Sequence, residues 1–292
     1  MVHPTQPDEV IRLWPEGPPT VIEGVGPEIE YQGPIGVAGA AVMLRNVSEP
    51  TLSVFKPAKP NGVGIIVVPG GGWSLLAWEH EGTDAVKWLA AKGYTCFLLK
   101  YRVRATAPTQ EGYDAEMMEI YAKIDMTRTA KTAYRAMRDI IDTPQIRAAR
   151  DAAADDGRRA IAIVRERAAE WGVDLGKIGM LGFSAGAFLT ADVAMDPRAE
   201  QLAFVAPIYG GETLGRPVPA DAPPMFTALA QNDALLYRVV EGLYSDWTDA
   251  DRSAEMHIYR RGEHGFGMVK QGMPSDGWIK LFEDWLADLG FA

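Results

Sequence analysis

The sequence predicts an α/β fold: a mostly parallel central sheet with helices on both faces, interrupted by one helical insertion. Three observations carry this reading. From about residue 64 onward, short continuous apolar runs alternate with amphipathic helical stretches, the pattern of strands buried on both faces of a parallel sheet. Two of these runs end in glycine-rich turns, Pro69-Gly70-Gly71-Gly72 and Gly182-Phe183-Ser184-Ala185-Gly186. Residues 105–155 break the rhythm with a long, charged, helix-prone segment, too long for a plain connection.

The elements follow in order. Residues 1–60 are rich in Pro and Gly, with short strands expected at 42–47 and 51–55 as an antiparallel edge to the main sheet. Gly64 to Val68 reads as a fully buried strand. Asp84 to Lys92 reads as a helix with Ala85, Trp88 and Leu89 on one side and Gly93 at its C-terminal cap. Cys96 to Lys100 is the next strand. The insertion opens with Tyr113, Met117, Met118, Ile120, Tyr121 and Ile124. It reads either as a lid or as a solvated helical excursion. A helix is expected over 158–171, a strand over 177–181 and a helix over 185–194. Strands are expected at 204–209, 225–229 and 256–259, with helices over 235–247 and 277–289. The expected organisation is one domain over 1–292, with a strand-rich extension at 1–60 and a helical insertion at 105–155.

Composition narrows the function classes. The chain has 292 residues, 47% hydrophobic and 23% charged, typical of a globular protein with a large core. A net charge of −10 argues against nucleic acid and anionic membrane surfaces as partners. No apolar window reaches the roughly 20 residues of a membrane span, and the N-terminus is unlike a signal peptide, so a cytoplasmic location is expected. The one cysteine, Cys96, lies in an apolar run and reads as a core hydrophobe. No histidine pair has metal-ligand spacing, and the Gly70–Gly72 run lacks the Lys-Ser or Lys-Thr of a phosphate loop. No metal or cofactor is expected. The sequence does not set an oligomeric state.

The chemistry centres on Ser184. A Gly-x-Ser-x-Gly match alone is a weak signal, but here an apolar strand precedes it and an Ala-rich helix follows. A serine at such a turn projects into the space above the sheet, while the helix N-terminus aims amides and positive partial charge at it. Serine needs a base, and there are four histidines. His3 lies at the chain start, His80 precedes the serine, and His257 falls inside an expected strand. His264, in the glycine-rich loop Gly262 to Gly267 after that strand, is the candidate base. Asp233, just past the strand at 225–229, is the candidate acid that orients it. Asp221 lies before that strand, and Asp246, Asp249 and Asp251 lie around a helix and its exit. The oxyanion hole is expected from the Ala185 amide together with Gly71 or Gly72, Trp73 being a further possible donor. Trp73, Tyr209 and Phe266 adjoin these loops and are expected to wall the substrate pocket.

These motifs resemble the esterase/lipase group of α/β-hydrolases that includes carbohydrate acetyl esterases and xylan-esterase-like proteins. The resemblance rests on Arg45 to Leu52, Val68 to Trp73, Glu79 to Gly82, Leu99 to Arg102, Arg165 to Gly172, Gly182 to Gly186 and Gly262 to Gly267. The chain departs from the group in two ways. Ala187-Phe188 stands where Gly-His is common, and the connection from Arg102 to residue 158 is longer than usual. The resemblance implies cofactor-free hydrolysis of a small-molecule ester with a short acyl group, with acetyl groups on sugars one candidate. Amide or peptide hydrolysis on the same residues, and non-catalytic ligand binding on a hydrolase scaffold, are the alternatives.

Overall fold

The computed structural model describes residues 6–35, 39–123 and 142–291. His3, Ile124 and the 124–141 part of the insertion lie outside the described residues.

The main sheet has eight strands: β1 (Glu9–Arg12), β4 (Thr51–Phe55), β5 (Gly64–Val68), β7 (Thr95–Lys100), β8 (Ile178–Phe183), β9 (Phe204–Ile208), β10 (Met225–Ala230) and β11 (Ala254–Tyr259). Their spatial order is β1-β4-β7-β5-β8-β9-β10-β11. The pairs β1–β4 and β4–β7 are antiparallel, and the pairs from β7 to β11 are parallel. The expected fold class is therefore the observed one. One strand is placed differently. The strand expected at 42–47 is β3 (Ala40–Arg45), which pairs with β2 (Ile29–Pro34) and β6 (Leu75–Leu76) in a separate three-stranded sheet. Alternation in a short segment sets which residues face inward, not which sheet the strand joins.

Alternate residues of each parallel strand enter different cores. Ile66 and Val68 join one apolar cluster and Ile65 and Val67 the other. The first cluster receives helices Pro144–Arg167, Ala185–Ala194 and Tyr237–Asp249; the second receives mainly Asp84–Ala90 and Trp278–Asp288. Burial on both faces explains the unbroken apolar runs. Cys96 is fully buried, and burial pushes its thiol well above the ordinary range, so it is a core residue. Among the described residues, no helix is long and apolar enough to cross a membrane, and no group of three His, Cys, Asp or Glu is arranged to hold a metal ion.

The helix expected from residue 158 starts at Pro144 and runs unbroken to Arg167. Thr143 caps it, its hydroxyl accepting from the Ile146 amide at 3.3 Å, and proline occupies the first turn. Residue 155, expected to end the insertion, falls inside this helix. Residues 144–155 belong to the expected insertion, lid or solvated excursion, yet Ala149, Ala152 and Ala153 are buried.

A buried ion pair ties this helix to the sheet. Asp156 is fully buried and Arg102 is 1% exposed. The Arg102 Nη2 donates to Asp156 Oδ1 at 2.8 Å, its Nε to Oδ2 at 2.9 Å and its backbone amide to Oδ2 at 3.0 Å. Trp14 Nε1 donates to Asp156 Oδ1 at 2.7 Å, and the third guanidinium nitrogen of Arg102, Nη1, donates to the Thr20 carbonyl. The N-terminal extension, the end of β7 and the long helix are thus joined at one point.

Candidate active site

Parallel pairing places the catalytic candidates at one edge of the sheet. Val68 of β5 lies opposite Gly182 of β8, and Ala230 of β10 opposite Tyr259 of β11. The loops that follow these four strands leave from their carboxyl ends and carry Gly70–Gly72, Ser184, Asp233 and His264. After β5 the chain passes to β7 on one side and then to β8 on the other. Such a switch in winding opens a crevice at the carboxyl edge.

Ser184 sits at the turn with φ +48° and ψ −115°, a backbone conformation that costs on the order of 1–3 kcal/mol for a non-glycine residue. Tight packing holds it there. A Cβ on Gly186 would lie 2.2 Å from the Val68 carbonyl oxygen, and one on Gly182 would lie 2.1 Å from the Gly186 carbonyl oxygen. Only glycine at both positions lets strand, turn and helix come this close.

The three expected residues meet. Ser184 Oγ and His264 Nε2 are 2.8 Å apart, as are His264 Nδ1 and Asp233 Oδ2. Asp233 is 1% exposed, and its Oδ1 accepts from the Leu235 and Leu236 amides at 2.9 and 3.0 Å. Burial disfavours its charge, but the His264 ring and these amides outweigh burial and hold the carboxyl below its ordinary range. For His264, burial pulls the pKa down, while Asp233, by charge and hydrogen bond, and Glu81 more than reverse it, so the net shift is upward. A hydroxyl, an imidazole and a carboxylate joined in this way can deprotonate the hydroxyl and stabilise the imidazolium that results.

The glycine loop is a folded turn rather than a flexible one. The Gly71 carbonyl accepts from the Ser74 and Leu75 amides at 3.0 and 3.1 Å, and the Gly70 carbonyl from the Ala77 amide at 3.0 Å. Tyr101 donates its hydroxyl to the Pro69 carbonyl at 2.8 Å. Gly71, Gly72 and Ala185 line a cavity of about 390 Å³ together with Ser184 and His264.

The expected pocket walls divide. Trp73 lines the cavity and stacks edge-on against Phe188, with centroids 5.5 Å apart. Tyr209 and Phe266 do not line it. Both are buried behind His264: the Tyr209 ring lies 5.2 Å from the imidazole and 4.6 Å from Phe266. The ends of strands and their loops turn some side chains into the layer below the site, and these two point there. Phe188, the departure from the usual Gly-His, is a wall in their place. Met117, Ile120 and Tyr121 reach the cavity from the helix Gln110–Ala122 of the insertion, and Leu235 and Leu236 from the loop after Asp233. His80 also borders the cavity, buried, with no hydrogen-bond partner for Nδ1 among the described residues. His257 is paired with Glu255 at 2.7 Å on β11, away from this edge.

The chain is similar to several hydrolases. It is 25% identical over 270 residues to an acetylxylan esterase of Xylanibacter ruminicola, an alignment covering 81% of this chain and 46% of that protein. The chain thus spans about half the length of the curated relative it matches. Among solved structures, an acetyl ester-xyloside bifunctional hydrolase of Caldicellulosiruptor lactoaceticus superposes with TM-score 0.65 and 20% identity over 98% of both chains. An α/β hydrolase from a Medee basin deep-sea metagenome library gives 0.60 and 17%, covering 89% of this chain and 97% of that one. A thermophilic esterase of Thermogutta terrifontis gives 0.55 and 19%, covering 84% and 89%. At these identities the superpositions establish the fold. Residues 53–276, which hold the six mutually parallel strands of the main sheet and all of the glycine-loop, Ser184, Asp233 and His264 positions, match the model of the dienelactone hydrolase family, and the chain belongs to that family of α/β-hydrolases.

Proposed function

We propose that the protein is a serine esterase that hydrolyses short-chain carboxylic esters through an acyl-enzyme. The observation that carries this reading is the continuous Ser184–His264–Asp233 hydrogen-bond chain, whose Ser184 and His264 line the cavity. Ser184 Oγ attacks the acyl carbon while His264 Nε2 takes its proton. Asp233 holds the imidazole with Nδ1 protonated and stabilises the imidazolium. The amide of Ala185, with that of Gly71 or Gly72, receives the charge that develops on the carbonyl oxygen. His264 then returns the proton to the departing alcohol, and water cleaves the acyl-enzyme by the same route.

The neutral imidazole is the base in this scheme, and its pKa is raised. Activity is therefore lost as pH falls through a value above the ordinary histidine pKa of about 6.5. The acid limb of kcat/KM, which reports the free enzyme, is expected on the alkaline side of that value. A limb below pH 6 would contradict the assignment of His264.

Similarity to an acetylxylan esterase makes acetylated carbohydrates one candidate substrate class. The cavity favours a less polar one. Met43, Trp73, Met117, Ile120, Phe188 and Leu236 supply apolar surface, and Ser74, Tyr121, Glu263 and Gln271 are polar side chains on the same lining. We propose that the chain is one domain and that the helix Gln110–Ala122, the part of the insertion whose Met117, Ile120 and Tyr121 line the cavity, acts as a lid and sets alcohol preference. Specificity constants for p-nitrophenyl acetate and butyrate, acetylated xylose and an anilide test the reading together. The aryl esters are expected to exceed the sugar acetate by roughly tenfold or more, about the worth of one or two buried methylenes, and the anilide to be turned over least. A sugar acetate preferred over both aryl esters would overturn the apolar assignment, and a preferred anilide the esterase one.

A further inference from the structure

We propose that Glu81 is a positioning residue that locks the glycine loop and the His264 loop into one frame around Ser184; this rests on the esterase reading above. Its carboxylate is 3% exposed. One oxygen, Oε2, accepts from the Gly70 amide at 2.8 Å, and the other, Oε1, from the Tyr209 hydroxyl at 2.6 Å. The Tyr209 oxygen in turn accepts from the Gly267 amide at 3.1 Å. Three loops that follow different strands therefore share one carboxylate.

The donors in this chain suit a carboxylate. An amide can only donate, so Gly267 donates to Tyr209, whose own hydroxyl donates to Glu81. Gly70 also can only donate. Both carboxyl oxygens then accept, Oε2 from the Gly70 amide and Oε1 from the Tyr209 hydroxyl, the bonding pattern of a carboxylate. No Lys or Arg among the described residues lies within ion-pair distance of Glu81; its nearest basic group is His80 Nε2 at 3.9 Å. Asp156, by contrast, has Arg102. A buried carboxylate held by dipoles alone is costly, which sets Glu81 apart from an ordinary structural ion pair.

The placement gives the cost a use. A Cβ on Gly70 would lie 2.6 Å from Glu81 Oε2 and 2.8 Å from Ser184 Cβ, so carboxylate and nucleophile flank the same face of Gly70. With its amide bound to Glu81, Gly70 is excluded as an oxyanion donor, and the amides further along the loop are left to face the cavity. On the other side, Tyr209 backs His264, and the His80 carbonyl accepts from the Met268 amide at 2.9 Å, fastening the same loop again. Glu81 itself sits in a single π-helical turn, Glu79–Thr83, a rare local form found often at functional sites. The titratable groups facing Glu81 are Tyr101, Tyr209, His80 and His264. Its charge adds to that of Asp233 in favouring the imidazolium form of His264.

The test compares wild type, Glu81→Gln, Tyr209→Phe and the double variant on p-nitrophenyl acetate from pH 5 to 9, with Tm recorded for each. Gln keeps the shape but presents an NH₂ to one of two donors and removes the charge. Expected for Glu81→Gln is a kcat loss of roughly ten- to hundred-fold, the scale of an ångström of misplacement, with KM within about threefold. The acid limb should move to lower pH. Tyr209→Phe should lower kcat and leave the limb where it is, because the Glu81 charge remains. The double variant should lose less than the product of the two single losses, since both act through one chain. A folded Glu81→Gln chain with wild-type kcat and an unmoved acid limb overturns the proposal. If that chain does not fold, Tyr209→Phe decides: reduced kcat at unchanged KM supports the shared frame, and unchanged kcat refutes it. A wild type that hydrolyses no ester defeats the esterase reading instead, which keeps the two failures apart.

Discussion

Replacing Ser184 by alanine is expected to lower kcat on a short-chain aryl ester by roughly ten-thousand- to million-fold, with no fall in Tm. The reason lies in how little of the site the hydroxyl holds together. Ser184 Oγ has one recorded role in the geometry, its contact with His264 Nε2, and the strained turn is held by Gly182, Gly186 and the strand ladder. The Ser184 amide donates to the Ile208 carbonyl at 3.0 Å whatever the side chain. Alanine therefore removes the proposed attacking atom and leaves the frame. The residual rate should be that of binding and the oxyanion donors alone. Turnover within tenfold of wild type would reject Ser184 as the nucleophile, and a large fall in Tm would reject the claim that glycine packing holds the turn.

The second large effect is expected on stability. Asp156→Ala leaves Arg102 buried and charged without its partner, and breaking such a pair from one side costs about 3–5 kcal/mol. For a chain of this size that corresponds to a fall in Tm of roughly 5–10 °C. The loss should exceed that of any surface pair, such as Arg12–Glu49, whose side chains are both more than two-thirds exposed. Activity should weaken as well, because Tyr101, next to Arg102, donates to Pro69 at the base of the glycine loop. Replacing both partners, as in Arg102→Leu with Asp156→Ala, should recover part of the Tm. A single variant with unchanged Tm would show that the pair contributes nothing net.

The parts legible in the sequence are those governed by local rules. Strands buried on both faces show as continuous apolar runs, and the turns at Gly70 and Ser184 show because only glycine fits beside another backbone. His264 and Asp233 could be picked out because chain order and strand ends restrict the choice to few positions. Other features depend on which segments meet across the fold. The strand Ala40–Arg45 gives no local sign that it leaves the main sheet. The first half of the helix Pro144–Arg167 reads as part of the insertion because its buried side is built from small alanines around Asp156 rather than from large apolar residues. Tyr209 and Phe266 adjoin the right loops but face the layer beneath them, and adjacency in sequence does not set that direction. Glu81 lies in Glu79-His80-Glu81-Gly82, a stretch quoted above for its resemblance. Its acceptors' partners, Gly70 and Tyr209, are 11 and 128 positions away. No local signal separates Glu81 from Glu79 and Asp84, which lie within three positions of it.

Covalent labelling with a fluorophosphonate tests the assignment of the nucleophile most directly. The wild-type chain is expected to gain one phosphonyl group, on the peptide that contains Ser184, with activity lost in proportion to the labelled fraction. The Ser184→Ala chain should gain none. A folded wild-type chain that takes up no label, or carries it on another residue while Ser184 stays unmodified, would contradict the account.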